Sequence, residues 1–292
     1  MVTGLWWPDV SRPRLRAQDT SMFEAVLLFR QALYGALLIA LSCSVIGVYV
    51  VLRRIVFVGA ALAQISSAGI ALALFLGGLG LTTIGTHPIA LSLVVTLAGA
   101  MFFGLGGRAK VAPDATIGTA YAIAAALGIL LMSKAKFGEV HDIFLQGNIL
   151  GMTHGDAMVL LAVTVPVLIL HLVFYKEFLF VSFDRDTAAT LGYNVRLWNL
   201  LLYFMLGLII AFAMQFAGVI LVFSFLVLPA VTGLLVAQSM RGTFAIAIGS
   251  ALLAATTGFS LSVPFDLPTG PAIIAVSGVL VLLAGAVRSL QR

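Results

Sequence analysis

The stretch from Trp198 to Gln238, WNLLLYFMLGLIIAFAMQFAGVILVFSFLVLPAVTGLLVAQ, contains no Asp, Glu, Lys, Arg or His. A hydrocarbon core ~30 Å thick is crossed by about 20 apolar helical residues, so this stretch is long enough to cross twice. Its middle reads Gln215-Phe216-Ala217-Gly218, a polar amide followed by the residue that tolerates any backbone conformation. It therefore divides into spans at 198–216 and 218–238, or forms one broken element. Strands of a membrane barrel would alternate apolar and polar residues, whereas this run is continuously apolar, so its periodicity is helical.

The same pattern extends in both directions. Breaking the chain at charges, Pro and Gly gives further spans at 23–52, 58–78, 88–107, 115–134, 156–175, 243–263 and 271–288. The expected fold is all-α: a polytopic transmembrane helical bundle of nine spans, or eight if the sixth and seventh form one broken element. Composition agrees, with 62% hydrophobic and 9% charged residues and a mean hydropathy of +1.16. A soluble domain needs roughly a quarter charged residues to cover a wetted surface. Cys43 lies inside the first span, so no disulfide framework exists and the residue reads as small buried packing.

Residues 1–21 lack the apolar core of a secretory signal. They read either as a disordered leader or as sequence preceding a true start at Met22, with the transmembrane domain covering 22–292. The longest other stretches that do not span, 135–155 and 176–197, hold about twenty residues each. Neither can fold as a soluble domain, and no G-x-x-x-x-G-K-[ST] phosphate loop occurs. ATP hydrolysis by this chain is excluded, and no nucleophile–base pair marks it as an enzyme.

Charge placement supplies the orientation. With nine spans, Arg53, Arg54, Arg108, Lys110, Lys176, Arg185, Arg196, Arg241, Arg288 and Arg292 all fall on one side. Lys134, Lys136, Arg12, Arg14, Arg16 and Arg30 fall on the other. The positive-inside rule then puts the N-terminus outside and the C-terminus in the cytoplasm. The +5 net charge is a signature of membrane topology and calls for lipid as the surrounding partner; no nucleic-acid partner is expected.

Within the spans, residues 59–71 are mostly Gly, Ala and Ser, which lets helix backbones approach closely in lipid. Ala60, Gln64, Ser67 and Ala71 share one helical stripe. Gln64 and Ser67 there serve either as interhelical hydrogen-bonding groups or as the lining of a hydrated path. No Asp, Glu, Lys or His occupies the middle of a span. That argues against a stand-alone secondary transporter, which usually keeps ionisable groups at the midplane. His171 lies near the end of span five, where a capping or aromatic-belt role is expected.

Two loops carry more specific signals. Asp184-Arg185-Asp186-Thr187-Ala188-Ala189-Thr190-Leu191-Gly192 has an N-capping Asp and a terminating Gly. It predicts a two-turn cytoplasmic helix, marginal by itself, whose small face at Ala188 and Ala189 suits docking in a partner's groove. The turn Asp266-Leu267-Pro268-Thr269-Gly270-Pro271 places Pro271 at the start of the last span. Asp114 is positioned to cap span four. In the outer loop, adjacent His141 and Asp142 are candidate metal ligands, although two neighbours do not complete a site. The alternative there is an ordinary wet loop with Asp142 capping the next turn.

Five stretches in register resemble a known family: Val51 to Gly59, Asp114 to Gly118, Gln146 to Leu150, Phe216 to Ala230 and Asp266 to Pro271. From about Met22 onward the chain resembles the permease subunits of ATP-binding-cassette importers for zinc, manganese and iron(II). That resemblance implies a bacterial inner-membrane permease, homodimeric or paired, on cytoplasmic ATP-binding subunits that hold ATP and Mg. It also implies an extracytoplasmic metal-binding protein that delivers cargo. The helix at 184–192 would correspond to the family's coupling helix, and this chain would bind no cofactor itself. The family carries Asp at the position of Ala60 and His at that of Gln64. Both charged ligands are missing here, so the cargo is a metal passing with more of its water, a metal liganded elsewhere, or another small solute such as a metal chelate.

Overall fold

The computed structural model describes residues 29–79, 87–106, 112–134 and 149–290. Among them are ten α-helices and no strand. They are α1 (Arg30–Leu52), α2 (Phe57–Gly78), α3 (Pro88–Leu105), α4 (Pro113–Lys134), α5 (His154–Val173), α6 (Tyr175–Phe183), α7 (Arg185–Thr190), α8 (Val195–Val236), α9 (Met240–Ser262) and α10 (Thr269–Leu290). A 3-10 turn at Ile149–Gly151 precedes α5. Eight of the helices are long and apolar enough to cross a membrane.

α8 counts twice. Its 42 residues would extend about 63 Å if straight, roughly twice the hydrocarbon thickness. At Gly218 the backbone leaves helical geometry, with φ 74° and ψ 168°, a conformation only glycine adopts readily. Contacts on either side of that point show a reversal. Asn199, near the start, accepts a hydrogen bond from Arg53 at 2.6 Å and donates one to the Gly104 carbonyl at 2.6 Å. Ala217 and Leu221 instead share a cavity with Ile149, Pro268 and Thr269, at the other end of the bundle. Farther along, Gly233 abuts the Thr243 carbonyl, and Arg288 donates to the Leu234 carbonyl. Both ends of α8 therefore lie on one face. Seven single crossings plus two limbs give nine, as the odd-count reading requires.

That face also carries α6, α7 and the ends of α1, α3, α5 and α10. Among the described residues it holds Arg53, Arg54, Lys176, Arg185, Arg196, Arg241 and Arg288. Arg30 and Lys134 sit at the opposite face. The partition drawn from sequence thus holds wherever the chain is described.

The core is α1 with the two limbs of α8. An 18-residue window of α1 is 72% buried, whereas that of α10 is 17% buried, so α10 is peripheral. Close backbone approach holds the centre together, as lipid packing demands. A Cβ on Gly47 would overlap the carbonyl of Leu226. α2 joins α3 through Ser66 and Ser92, whose hydroxyls lie 2.8 Å apart, with the Ser92 hydroxyl also donating to the Ser66 carbonyl at 2.9 Å.

Several boundaries differ from the sequence reading. α4 begins at Pro113, so Asp114 lies in the first turn and does not cap; its carboxylate still faces the positive end of the helix dipole. α10 begins at Thr269, making Pro271 its third residue, still within the turn whose N–H groups lack helical acceptors. α5 starts at His154 through a capping box between Thr153 and Asp156. His171 is no belt residue: it is buried against Tyr49, Tyr175 and Phe244, with its Nδ1 3.2 Å from the Tyr49 hydroxyl.

The reversal has a direct test. With buried Cys43 silent, Asn194→Cys and Gln238→Cys should be labelled by an impermeant maleimide from the same side of the membrane. Phe265→Cys should be labelled from the other. Labelling of Asn194→Cys and Gln238→Cys from opposite sides would mean that α8 crosses once.

Candidate translocation path and docking helix

Residues of the α2 stripe face different surroundings. Ser67 and Ala71 are buried in helix packing, while Ala60 and Gln64 are half-buried. Ala60 opens on a cavity of ≈ 610 Å³ shared with Phe57, Asp114, Tyr121 and Phe223. The Gln64 amide makes no hydrogen bond among the described residues. Among the described residues Asp114 is the one carboxylate lining that cavity, and sequence reading missed it there because 54 positions separate it from Ala60. No group of three His, Cys, Asp or Glu able to hold a metal ion occurs among the described residues. A dication stripped of water would face a desolvation cost of many kcal/mol here without charged ligands. His141 and Asp142 lie outside the described residues.

α7 is built as its sequence predicts. The Asp184 carboxylate accepts from the Thr187 backbone N–H at 2.9 Å and the Thr187 hydroxyl at 2.6 Å. These bonds, the side-chain one foremost, hold the Asp184 carboxyl below its usual range. Because the folded value is the depressed one, the cap is intact above the ordinary carboxylate pKa of about 3.9 and is lost as pH falls through the folded value. At the other end Gly192 has φ 86°. The Tyr193 N–H reaches the Ala188 carbonyl at 3.0 Å and the Gly192 N–H reaches Ala189 at 3.1 Å, a Schellman closure.

One detail of the expected docking surface changes. Ala188 is fully buried against the chain itself, because it faces the flanking helices α6 and α8. The outward face is formed by Asp186, Ala189 and Leu191, with Leu191 65% exposed, while Arg185 lines a cavity shared with Arg53.

α6 was not foreseen: with Lys176 and Glu177 at its start and nine residues in all, it is too short to read as a span. It seats α7 through buried Phe178, which packs on Tyr49 and Trp198. Also unforeseen is the clamp at Arg53. Its guanidinium donates to Ser182 at 2.9 Å and to Asn199, tying the end of α1 to the helices on both sides of α7. Burial pulls its pKa down to about 10, with Arg185 adding to the effect, so it remains charged at neutral pH. On the opposite face, the Asp266–Pro271 turn has Asp266 at φ 51°. The Thr269 hydroxyl lies 3.1 Å from Ser262, and Pro268, Gly270 and Pro271 line a cavity of ≈ 460 Å³.

A folded hairpin helix at the centre, a charge-partitioned bundle and a capped helix too short to cross define a polytopic membrane transport protein. Residues 25–288 match the ABC 3 transport family, and the chain belongs to it. It is 29% identical over 273 residues to the manganese transport system membrane protein MntC of Halalkalibacterium halodurans, covering 91% of this chain and 90% of that one. It is likewise 29% identical over 268 residues to the manganese import system permease protein ScaB of Streptococcus gordonii, covering 90% and 92%. Among solved structures it is similar to PsaBC from Streptococcus pneumoniae in complex with Fab, with a TM-score of 0.78, 25% identity, and coverage of 90% of this chain and 94% of that one. The family-level resemblance drawn from the five sequence stretches therefore stands.

Gly192→Ala should destabilise the α7 closure by about 1–2 kcal/mol, the cost of the left-handed region for a residue with a Cβ. Proteolysis between α6 and α8 in detergent-solubilised protein measures it, and unchanged cleavage would show that Gly192 carries no conformational demand.

Proposed function

We propose that this chain is the permease subunit of an ATP-driven importer whose cargo is a transition-metal ion, with manganese foremost. The observation that carries the reading is α7: a six-residue helix, capped at both ends, presenting Leu191 outward on the basic face. The positive-inside rule makes that face cytoplasmic, which puts the N-terminus outside and the C-terminus inside. α7 is then the contact through which a cytoplasmic ATPase, holding ATP and Mg, drives the bundle. Family membership and the manganese transport named in its relatives support the cargo class. A second copy of the chain completes the path, and an extracytoplasmic metal-binding protein supplies it, with His141 and Asp142 as candidate outer-loop ligands.

The path within one chain runs beside Ala60 and Gln64. Neither residue carries charge, so the ion keeps more of its water there or takes its carboxylate from Asp114, which shares the cavity. The same lack of charge favours one second reading, a metal chelate whose own ligands screen the ion.

Uptake of radiolabelled manganese into proteoliposomes holding the chain with its ATPase and binding protein tests both parts. ATP-dependent uptake is expected, with Leu191→Asp reducing it by about tenfold or more, a loss of ~1.4 kcal/mol of coupling. The double substitution Ala60→Asp and Gln64→His is expected to alter metal uptake. Uptake without ATP would overturn the importer reading, and no response to the α2 pair would move the ion path away from α2.

A further inference from the structure

Arg53 presents a feature that the transport reading does not use. Its Nη2 is fully buried and has no hydrogen-bond partner, although its Nε and Nη1 are bound to Ser182 and Asn199. No carboxylate among the described residues forms an ion pair with it. Removing a charge from water without a counter-ion is strongly unfavourable, so the Arg53 guanidinium as a whole calls for an anion nearby. The cavity beside it measures ≈ 350 Å³ and is lined by Arg53, Arg54, Ser182, Arg185 and Asn199 among others.

The local backbone is arranged to gather these cations. α1 ends in a Schellman closure, with the Arg54 N–H on the Val51 carbonyl and the Ile55 N–H on the Val50 carbonyl, each 3.0 Å. The left-handed position of that motif normally falls to glycine, yet here it is Arg54, at φ 58°. A strained non-glycine residue held in such a place is a pointer to function. The turn puts Arg54 on the lining of the same cavity as Arg53, and α7 contributes a third lining arginine, Arg185.

We infer that the Arg53–Arg54–Arg185 cavity binds a phosphate-bearing anion, either a phospholipid headgroup or free phosphate. Three guanidinium groups arriving from the end of α1, the following turn and α7 match a tetrahedral anion with several acceptor oxygens better than a two-oxygen carboxylate. The cavity lies at helix ends on the basic face, and basic segments beside a membrane attract anionic headgroups. An anion there would bridge α1 to α7 and so fix the docking helix to the core. The site stands whether or not the transport reading holds.

The test uses the full chain purified in neutral detergent and stripped of lipid. Thermal unfolding and native mass spectrometry are followed during titration with phosphatidylglycerol, inorganic phosphate or succinate. Saturable stabilisation by phosphatidylglycerol or by phosphate is expected, with mass adducts of matching size. Stabilisation by phosphatidylglycerol alone identifies the lipid source, and an equal response to inorganic phosphate identifies the free anion. Arg54→Gly, which suits the left-handed turn and keeps the fold, combined with Arg185→Gln should weaken binding by about tenfold or more. Arg241→Gln, on the same face but away from the cavity, should not. The inference is overturned if neither phosphate species binds or if the double variant binds as tightly as the parent. It is also overturned if only the carboxylate probe or an acidic protein partner stabilises the chain.

Discussion

The architecture depends on a single backbone reversal. At Gly218 a φ of 74° turns the long apolar element back on itself, so that it enters and leaves on one face. Without that turn the parity of the remaining helices fails. Arg241 and Arg288 would then lie across the bilayer from Arg53, and α9 and α10 could not pack as they do. The reversal is tolerated in lipid because both limbs are buried inside protein, where neighbouring helices surround the irregular peptide. Ala217, Gly218, Val219 and Leu221, at the turn itself, are all buried.

Around this hairpin, cohesion comes from proximity more than from apolar burial, since lipid is as apolar as the helix surfaces. Gly47 lets α1 touch the second limb of α8 backbone to backbone. Ser66 and Ser92 join α2 to α3 through short hydroxyl contacts. On the basic face, polar bonds take over from close packing: Arg53 gathers Ser182 and Asn199, and Asn199 gathers the Gly104 carbonyl. The two flanks of α7 are thereby fixed to the ends of α1 and α3. Hydrogen bonds of 2.6 to 2.9 Å thus tie the helices flanking α7 to the core.

The sequence disclosed most of this architecture because its strongest signals are one-dimensional. Apolar runs, the side on which each Arg and Lys falls, and the Asp184 and Gly192 terminators of α7 are all local. What escaped it was long-range. Ala188 is an inward residue because α6 and α8 flank α7, and nothing in Ala188-Ala189 distinguishes the two. Asp114 joins Ala60 across 54 positions, and Arg53 meets Asn199 across 146 positions. His171 looked interfacial from its place near a helix end, yet three aromatic rings from α1, α6 and α9 enclose it. The α2 stripe was legible as a stripe, but its division between packing at Ser67 and an open cavity at Ala60 required the neighbouring helices.

The claim on which the functional account rests is that α7 is a contact for an ATPase on the basic face. Site-directed crosslinking in membranes that co-express both chains measures this most directly. Leu191→Cys and Ala189→Cys should form adducts with the ATPase subunit, while Phe265→Cys on the opposite face should form none. Absence of an adduct from both α7 positions, with crosslinking through Phe265→Cys instead, would contradict the account.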